Sequence, residues 1–396
     1  MTSYTLAMQV GKILGSGRYG KIYEYENHAL KHCFRKKGEQ FVSSACLREI
    51  NGLIVLKGHP NIISMEKIYC GTLKLNDCNQ DMSEEVLHPL LERGSCSLMT
   101  YMLENDCSEE QKLSFLVDIL LGLEYMHSMG LVHCDIKPHN IIVVNGVAKI
   151  ADFGLCQYVL PGQMKDMVTS SPNYCAPEIF QRREYTEKID VWSWACLAYQ
   201  IMTKDHLVDL RGKKDRSSIV MNLLSSCVKL NRVSNVELRD ILTDCLSMDR
   251  PSISEILDSS CWEFARDRIQ QTRQEWEFSP SFEMKKLPSE YRQTFRQAVF
   301  GVDSRVACHA YDILQVWLEN DPLTDEEKIE DRIALCILFV EKLLFGISKF
   351  QFHTPETCSE SAQTRLLESC SYQIYRPTCF EQDPSSDWVS FLCSED

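Results

Sequence analysis

Between His133 and Gly154 the chain gathers the polar groups of a reaction centre onto a short stretch of backbone. The run His133-Cys134-Asp135-Ile136-Lys137-Pro138-His139-Asn140 sets a carboxylate, a lysine and an amide within six residues, and Asp152-Phe153-Gly154 adds a second carboxylate. Asn140 and Asp152 offer oxygen donors of the kind magnesium, a hard cation, prefers. Lys137 can neutralise a transferring phosphoryl group, and Asp135 can orient and deprotonate a hydroxyl. Any fold for this chain must hold these four side chains around one point.

Upstream lies a second constraint. The spacing predicts a strand over Gln9 to Leu14, a tight turn Gly15-Ser16-Gly17-Arg18-Tyr19-Gly20, a strand over Lys21 to Tyr25 and a return strand over His28 to Cys33. A Gly-rich turn between two strands, rather than between strand and helix, speaks against a Rossmann unit. Its glycines would let the backbone approach phosphates, and Ile22 would lay an apolar side chain over a base. Lys31 follows on the return strand and Glu49 on the next helix. A buried lysine needs a partner, and a Lys31–Glu49 pair would hold the ammonium ready for nucleotide phosphates; two solvated surface charges are the competing reading.

Helical spacing runs over Phe41 to Lys57, with Leu47, Ile50, Leu53 and Ile54 on one stripe, and His59-Pro60 ends it. A further helix is predicted over Ser108 to Ser128. Another, Lys188 to Thr203, is apolar nearly all round and should be buried. Beyond about residue 270 the chain becomes a further helical segment. There Ala310, Ile313, Leu314, Trp317 and Leu318 mark an amphipathic helix, and Ile333 to Phe345 is apolar on all sides until Glu341-Lys342.

Composition narrows the rest. A formal charge of -14 argues against a broad nucleic-acid or membrane-surface footprint. No apolar run reaches the roughly 18–20 residues of a membrane span, and the N-terminus lacks the pattern of a signal peptide. The 19 cysteines are scattered without a CxxC pair, which points to buried free thiols in a reducing compartment. The expectation is a soluble intracellular chain, in cytoplasm or nucleus.

With Ala176-Pro177-Glu178, Asp190 within Ile189-Asp190-Val191-Trp192-Ser193, and Asp249-Arg250-Pro251, these motifs resemble the eukaryotic-type serine/threonine protein kinases over roughly residues 9 to 266. The resemblance implies an α+β, bilobal fold, a small β-rich lobe over 1–92 and a large helical lobe over 93–270; helical spacing adds an all-α extension over 271–396. The resemblance also implies ATP and Mg2+ as cofactors, and transfer of the γ-phosphoryl group to a Ser or Thr hydroxyl of a protein substrate. Asp135, Lys137, Lys31 and Glu49 would be catalytic. Leu14, Gly15, Ser16, Gly17, Arg18, Tyr19, Gly20, Lys21, Ile22 and Lys31 would hold the nucleotide, with Asn140 and Asp152 on the metal. Glu178 would pair with Arg250, Asp190 would brace the catalytic loop, and Leu53, His133 and Phe153 would stack in a hydrophobic spine. Lys137 and Ser171 resemble the serine/threonine group rather than the tyrosine kinases. The alternatives are a pseudokinase scaffold, against which all five of Lys31, Glu49, Asp135, Asn140 and Asp152 are present, and a kinase requiring a separate activating partner.

The chain also departs from the family. Cys134 stands where many kinases have the arginine that grips a phosphorylated activation segment. Ser43 to Ile50 is similar to the PSTAIRE helix of cyclin-dependent kinases, in which three arginines clamp that phosphate. Arg48 matches one of them, Cys134 and Gln157 replace the others, and Asp166 falls at the phosphorylated position. This implies an activation segment that needs no phosphorylation; neutral drift in a divergent kinase is the competing reading. The tail faintly resembles a cyclin box, with Lys342 and Glu368 as its contacts to the kinase helix and Tyr375-Arg376-Pro377-Thr378 at its last helix. It would then be an intramolecular activator; a docking domain or a brace for the large lobe are the plainer readings. The divergent clamp and scattered cysteines suit a kinase of a large DNA virus or a parasite, which would place it in a host cell.

Overall fold

The computed structural model describes residues 8–17, 20–34, 43–75, 82–158, 171–181, 183–208, 226–276, 287–299, 304–321, 323, 329–345 and 366. The small lobe is a sheet of β1 (Met8–Val10), β2 (Ile13–Ser16), β3 (Gly20–Tyr25), β4 (His28–Cys33), β5 (Met65–Leu75) and β6 (Met82–Glu92). Their order is β1-β5-β6-β4-β3-β2, with β1 parallel to β5 and every other pair antiparallel. The strand expected over Gln9 to Leu14 is two strands. The chain bends at Gly11-Lys12, where Gly11 N–H donates to Glu24 O (2.7 Å) and Glu24 N–H to Lys12 O (2.9 Å), so β1 crosses to β5 while β2 stays beside β3.

Alternation along these strands divides two cores. Tyr23, Leu30, Leu73 and Leu90 join Val10 in a small cluster on one face. Cys33, Leu87 and Leu91 belong to the main core on the other, with Cys46, Leu47 and Ile50 of α1 (Ser44–Val55). The Ser43 hydroxyl starts α1 by accepting from Cys46 N–H at 3.2 Å.

The large lobe contains α2 (Leu98–Glu104), α3 (Glu109–Ser128), α4 (Pro177–Phe180), α5 (Lys188–Thr203), α6 (Val236–Cys245), α7 (Ile253–Leu257) and α8 (Arg266–Glu275). Short strands β7 (Cys96–Ser97), β8 (Leu131–Val132), β9 (Ile141–Val144), β10 (Val147–Ile150) and β11 (Gln157–Tyr158) form two small sheets, β10-β9-β7 and β11-β8, and carry the motif loops. Helix α5 is buried from Ile189 through Ile201, as its all-round apolar sequence requires, with Trp192, Trp194 and Tyr199 fully enclosed. Helix α8 runs through residue 270, where composition placed the end of this lobe. It is held by ion pairs to α3 and not by an apolar stripe.

Three helices of the extension follow: α9 (Ser289–Ala298), α10 (Ser304–Asn320) and α11 (Ile329–Phe345). On α10, Ala310, Ile313, Leu314 and Trp317 are buried and Leu318 packs against them half-buried. Helix α11 packs against α9 and α10 and also against α1 and β11, so the extension reaches the small lobe. Asp166, Glu368, Tyr375, Arg376, Pro377, Thr378 and the side chain of Lys342 lie outside the described residues. No helix among the described residues is long and apolar enough to cross a membrane.

Glu178 and Arg250 meet as a two-pronged ion pair, Nη2 to Oε2 at 2.9 Å and Nη1 to Oε1 beside it, with the guanidinium 5.0 Å from the Trp192 ring. Arg250→Ala leaves a mostly buried carboxylate without its partner and should cost about 3–5 kcal/mol, read as a lower urea midpoint. Arg250→Lys should recover only part, because an ammonium cannot make the two parallel bonds. An unchanged midpoint for Arg250→Ala would show that the pair adds nothing to stability.

Candidate active site

Lys31 enters the cleft from β4, directly opposite Ile22 on β3, so the two side chains share a face. The residue is only 6% exposed, and its ammonium donates to Asp152 Oδ1 at 2.7 Å and lies 2.8 Å from Glu49 Oε2. Burial by itself would lower the lysine pKa, but Asp152 and Glu49 reverse that and hold it above the ordinary value. Glu49, on the buried face of α1, is pushed up to about 7 by burial, with Lys31 opposing the shift and Asp152 adding to it. Asp152 feels burial too, but Lys31 outweighs it and keeps this carboxyl below the usual range. One ammonium thus serves two carboxylates that repel each other.

The loop after β8 is built around Asp190 of α5. This fully buried carboxylate accepts His133 N–H at 2.7 Å and Cys134 N–H at 2.9 Å, and lies 3.1 Å from His127 Nε2. The two backbone bonds stabilise a left-handed Cys134 (φ 69°), a conformation that costs a residue with a Cβ free energy. His133 accepts Asp135 N–H at Nδ1 (3.2 Å), which leaves Nε2–H to donate to Ala151 O (3.1 Å). Its ring meets Phe153 edge-on, 5.5 Å between centroids. Phe153 is enclosed and packs on α1 at Gly52, where a Cβ would sit 3.1 Å from it, and Leu53 beside it is buried.

Asp135 is aimed by this turn. Its Oδ2 receives Lys137 Nζ at 2.5 Å and Asn140 Nδ2 at 3.0 Å; the same Nδ2 donates to Asp135 O at 2.8 Å. With its amide nitrogen turned to Asp135, Asn140 presents Oδ1 as its remaining oxygen donor. Asp152, bound through Oδ1 to Lys31, sits at φ 67° and ψ 68° and keeps Oδ2 as a second donor. The pair fits a magnesium ion that takes one or two protein oxygens and fills its shell with phosphate and water. Ser171 lines the same cleft as Asp135, together with Cys134, Tyr174 and Ala176.

Of the Gly-rich turn, Leu14, Gly15, Ser16, Gly17, Gly20, Lys21 and Ile22 are described, and Arg18 and Tyr19 lie outside the described residues. Leu14 is 38% exposed, Ser16 and Gly17 are exposed, and Ile22 is half-buried beside Lys31. Gly20 has a structural reason of its own. A Cβ there would fall 2.4 Å from His32 O, so β3 and β4 could not close.

Two contacts had no signal in the sequence. Asn51 Nδ2 donates to Tyr158 Oη at 2.7 Å, and Arg48 Nε donates to Gly154 O at 2.9 Å, although Arg48 stood out for another partner. With Glu49 and Gly52 they fasten one face of α1 to the segment from Asp152 to Tyr158.

Known proteins bear on this geometry. The family model described as the protein kinase domain matches residues 8–261. A protein of Acanthamoeba polyphaga mimivirus, named among the serine/threonine-protein kinases, is 30% identical over 241 residues, covering 56% of this chain and 42% of its own. The serine/threonine-protein kinase PEPKR2 of Arabidopsis thaliana is 32% identical over 200 residues, 49% of this chain and 39% of its own. A cyclin-dependent kinase of Oryza sativa subsp. japonica is 32% identical over 198 residues, 48% and 43%. The chain therefore spans less than half the length of these relatives. The family match takes in the small lobe, the large lobe as far as residue 261 and every motif of the cleft, and the chain belongs to the protein kinase family.

Proposed function

We propose that this chain is an ATP-dependent protein serine/threonine kinase that transfers the γ-phosphoryl group of Mg-ATP to a hydroxyl of a protein substrate. The observation that carries the reading is Lys31 held at 2.8 Å from Glu49 and 2.7 Å from Asp152, an ammonium pre-placed where nucleotide phosphates would meet it. The turn from Leu14 to Ile22 would cover the nucleotide. Asn140 and Asp152 would hold magnesium, which when bound neutralises phosphate charge. Asp135 would receive the substrate hydroxyl proton, and Lys137, 2.5 Å from it, would offset the charge on the transferring group. We read residues 1–92 and 93–270 as the two lobes and 271–396 as the extension, with α8 running across the second bound.

The same reading includes activity without a phosphorylated activation segment. Arg48, the one clamp arginine present, donates to the Gly154 carbonyl, and Gln157 accepts from Tyr185 Oη at 2.9 Å. Cys134 is buried where a second clamp arginine would reach out. Arg48 and the Asn51 amide thus tie α1 to the segment after Asp152, through Gly154 O and Tyr158 Oη. Purified chain treated with a protein phosphatase should keep its full rate of transfer from labelled Mg-ATP; a rate abolished by that treatment would remove this part of the reading.

Replacing Asp135 by Asn should lower transfer to a generic Ser/Thr peptide by about 10²–10⁴-fold while Mg-ATP binding, measured by calorimetry, stays within a factor of a few. Equal rates for wild type and Asp135→Asn, both at background, would favour a scaffold.

Glu49 supplies the pH dependence. Its carboxylate must be charged to pair with Lys31, and its pKa is raised to about 7, so protonation breaks the pair as pH falls through neutrality. In the free enzyme, kcat/KM for ATP should decline on the acid side of about pH 7 rather than near pH 4.5. Glu49→Gln should show a low rate with that limb removed. A limb that persists in Glu49→Gln belongs to another group.

A further inference from the structure

Helix α8 carries the chain past the end of the family match and along α3. Arg268 Nη1 lies 3.1 Å from Asp118 Oδ1, and Arg273 grips Glu124 with Nη2 at 2.7 Å and Nε at 2.9 Å. One residue beyond the helix, Trp276 lays its ring against the connection between α1 and β5. The ring edge meets Gly58, where a Cβ would stand 2.9 Å from Trp276 Cη2, and Gly58 itself has φ 95°. Ring centroids lie 5.4 Å from His59 and 5.6 Å from Tyr125, and those two rings stack on each other at 4.8 Å. His59 is 2% exposed. The hinge at the end of α1 is thus enclosed between α3 and Trp276. Independently, α11 packs on α1 and on β11. Both supports come from residues after the matched segment 8–261.

We propose that Trp276 is a positioning residue that, together with α11, holds α1 where Glu49 reaches Lys31, so that the region after the kinase domain braces the reaction centre of its own chain. The physical reason lies in the hinge. A glycine at positive φ between two elements gives the connection freedom to swing, and the aromatic wedge against Gly58 and His59 removes that freedom. Without the ring, α1 can move outward as a unit, and Lys31 loses Glu49 and keeps only Asp152, although every residue of the cleft is intact. The activity arm of the test rests on the kinase reading; the exchange arm does not.

The test uses the full chain as wild type, Trp276→Ala, Trp276→Phe, Glu49→Gln and the double variant Trp276→Ala/Glu49→Gln. Amide hydrogen exchange is followed over 44–57 in α1 and its hinge and over 188–203 in α5. Trp276→Ala should speed exchange in α1 while α5 keeps its protection, and should lower kcat by about tenfold. Trp276→Phe should restore most of both. In the Glu49→Gln background, Trp276→Ala should cost no further activity, since both changes act through one ion pair.

Exchange that rises equally in α1 and α5 would mean general destabilisation and overturn the proposal. Unaltered exchange in α1, or losses that multiply in the double variant, would overturn it too. Should Trp276→Ala fail to fold, Trp276→Leu is read by the same comparison of α1 with α5. If wild type shows no transfer above Asp135→Asn, the kinase reading falls, and the exchange data still decide whether Trp276 restrains α1.

Discussion

A lysine that is 6% exposed cannot keep its ammonium charged in a protein interior without carboxylates close by. The two that answer Lys31 come from different parts of the chain, Glu49 from a helix of the small lobe and Asp152 from the loop after β10. Correct charge balance at this one atom therefore demands that α1 be seated and that the Asp152 loop be turned inward at the same time. Everything else in the cleft follows that demand. In this arrangement Phe153 closes against Gly52 of α1, and Arg48 and Asn51 reach Gly154 O and Tyr158 Oη.

The large lobe meets this arrangement with a second buried charge. Asp190 has no exposed surface and is answered mainly by two backbone N–H groups, those of His133 and Cys134. Hydrogen bonds to an ionised acceptor are stronger than neutral ones, and they offset the unfavourable left-handed backbone of Cys134. The gain is directional: the turn at Cys134 sets Asp135 toward Lys137 and Asn140. Because α5 is buried along nearly its whole length, Asp190 is fixed by packing, and Asp135 inherits that rigidity.

The cluster of Asp135, Lys137 and Asn140 was legible in sequence because these residues are local, lying within one loop that brings their side chains together. Periodicity likewise located α3, α5 and α10, whose faces meet a continuous core. It failed where stability comes from other sources. The β5–β6 hairpin went unread because its register shifts between Met65 and Lys67 and between Gly71 and Leu73, which breaks the strict alternation that marks a strand. Helix α8, Arg-Asp-Arg-Ile-Gln-Gln-Thr-Arg-Gln-Glu, buries Ile269 and otherwise relies on arginine pairs to Asp118 and Glu124. Partners of that kind, far away in sequence, leave no periodic trace.

The extension shows the limit most clearly. The apolar faces of α10 and α11 announce that these helices are covered, and a period says nothing of what covers them. That α11 lies on α1 and β11 is a property of the assembled fold. It changes the meaning of Arg48 and Cys134. A helix stabilised only by a phosphate clamp would need three cations converging on one anion. Here α1 has Trp276 at its hinge, α11 along its side, and its own Arg48 and Asn51 bound to the segment that follows Asp152. With these four restraints in place, a buried thiol at position 134 is compatible with a seated helix.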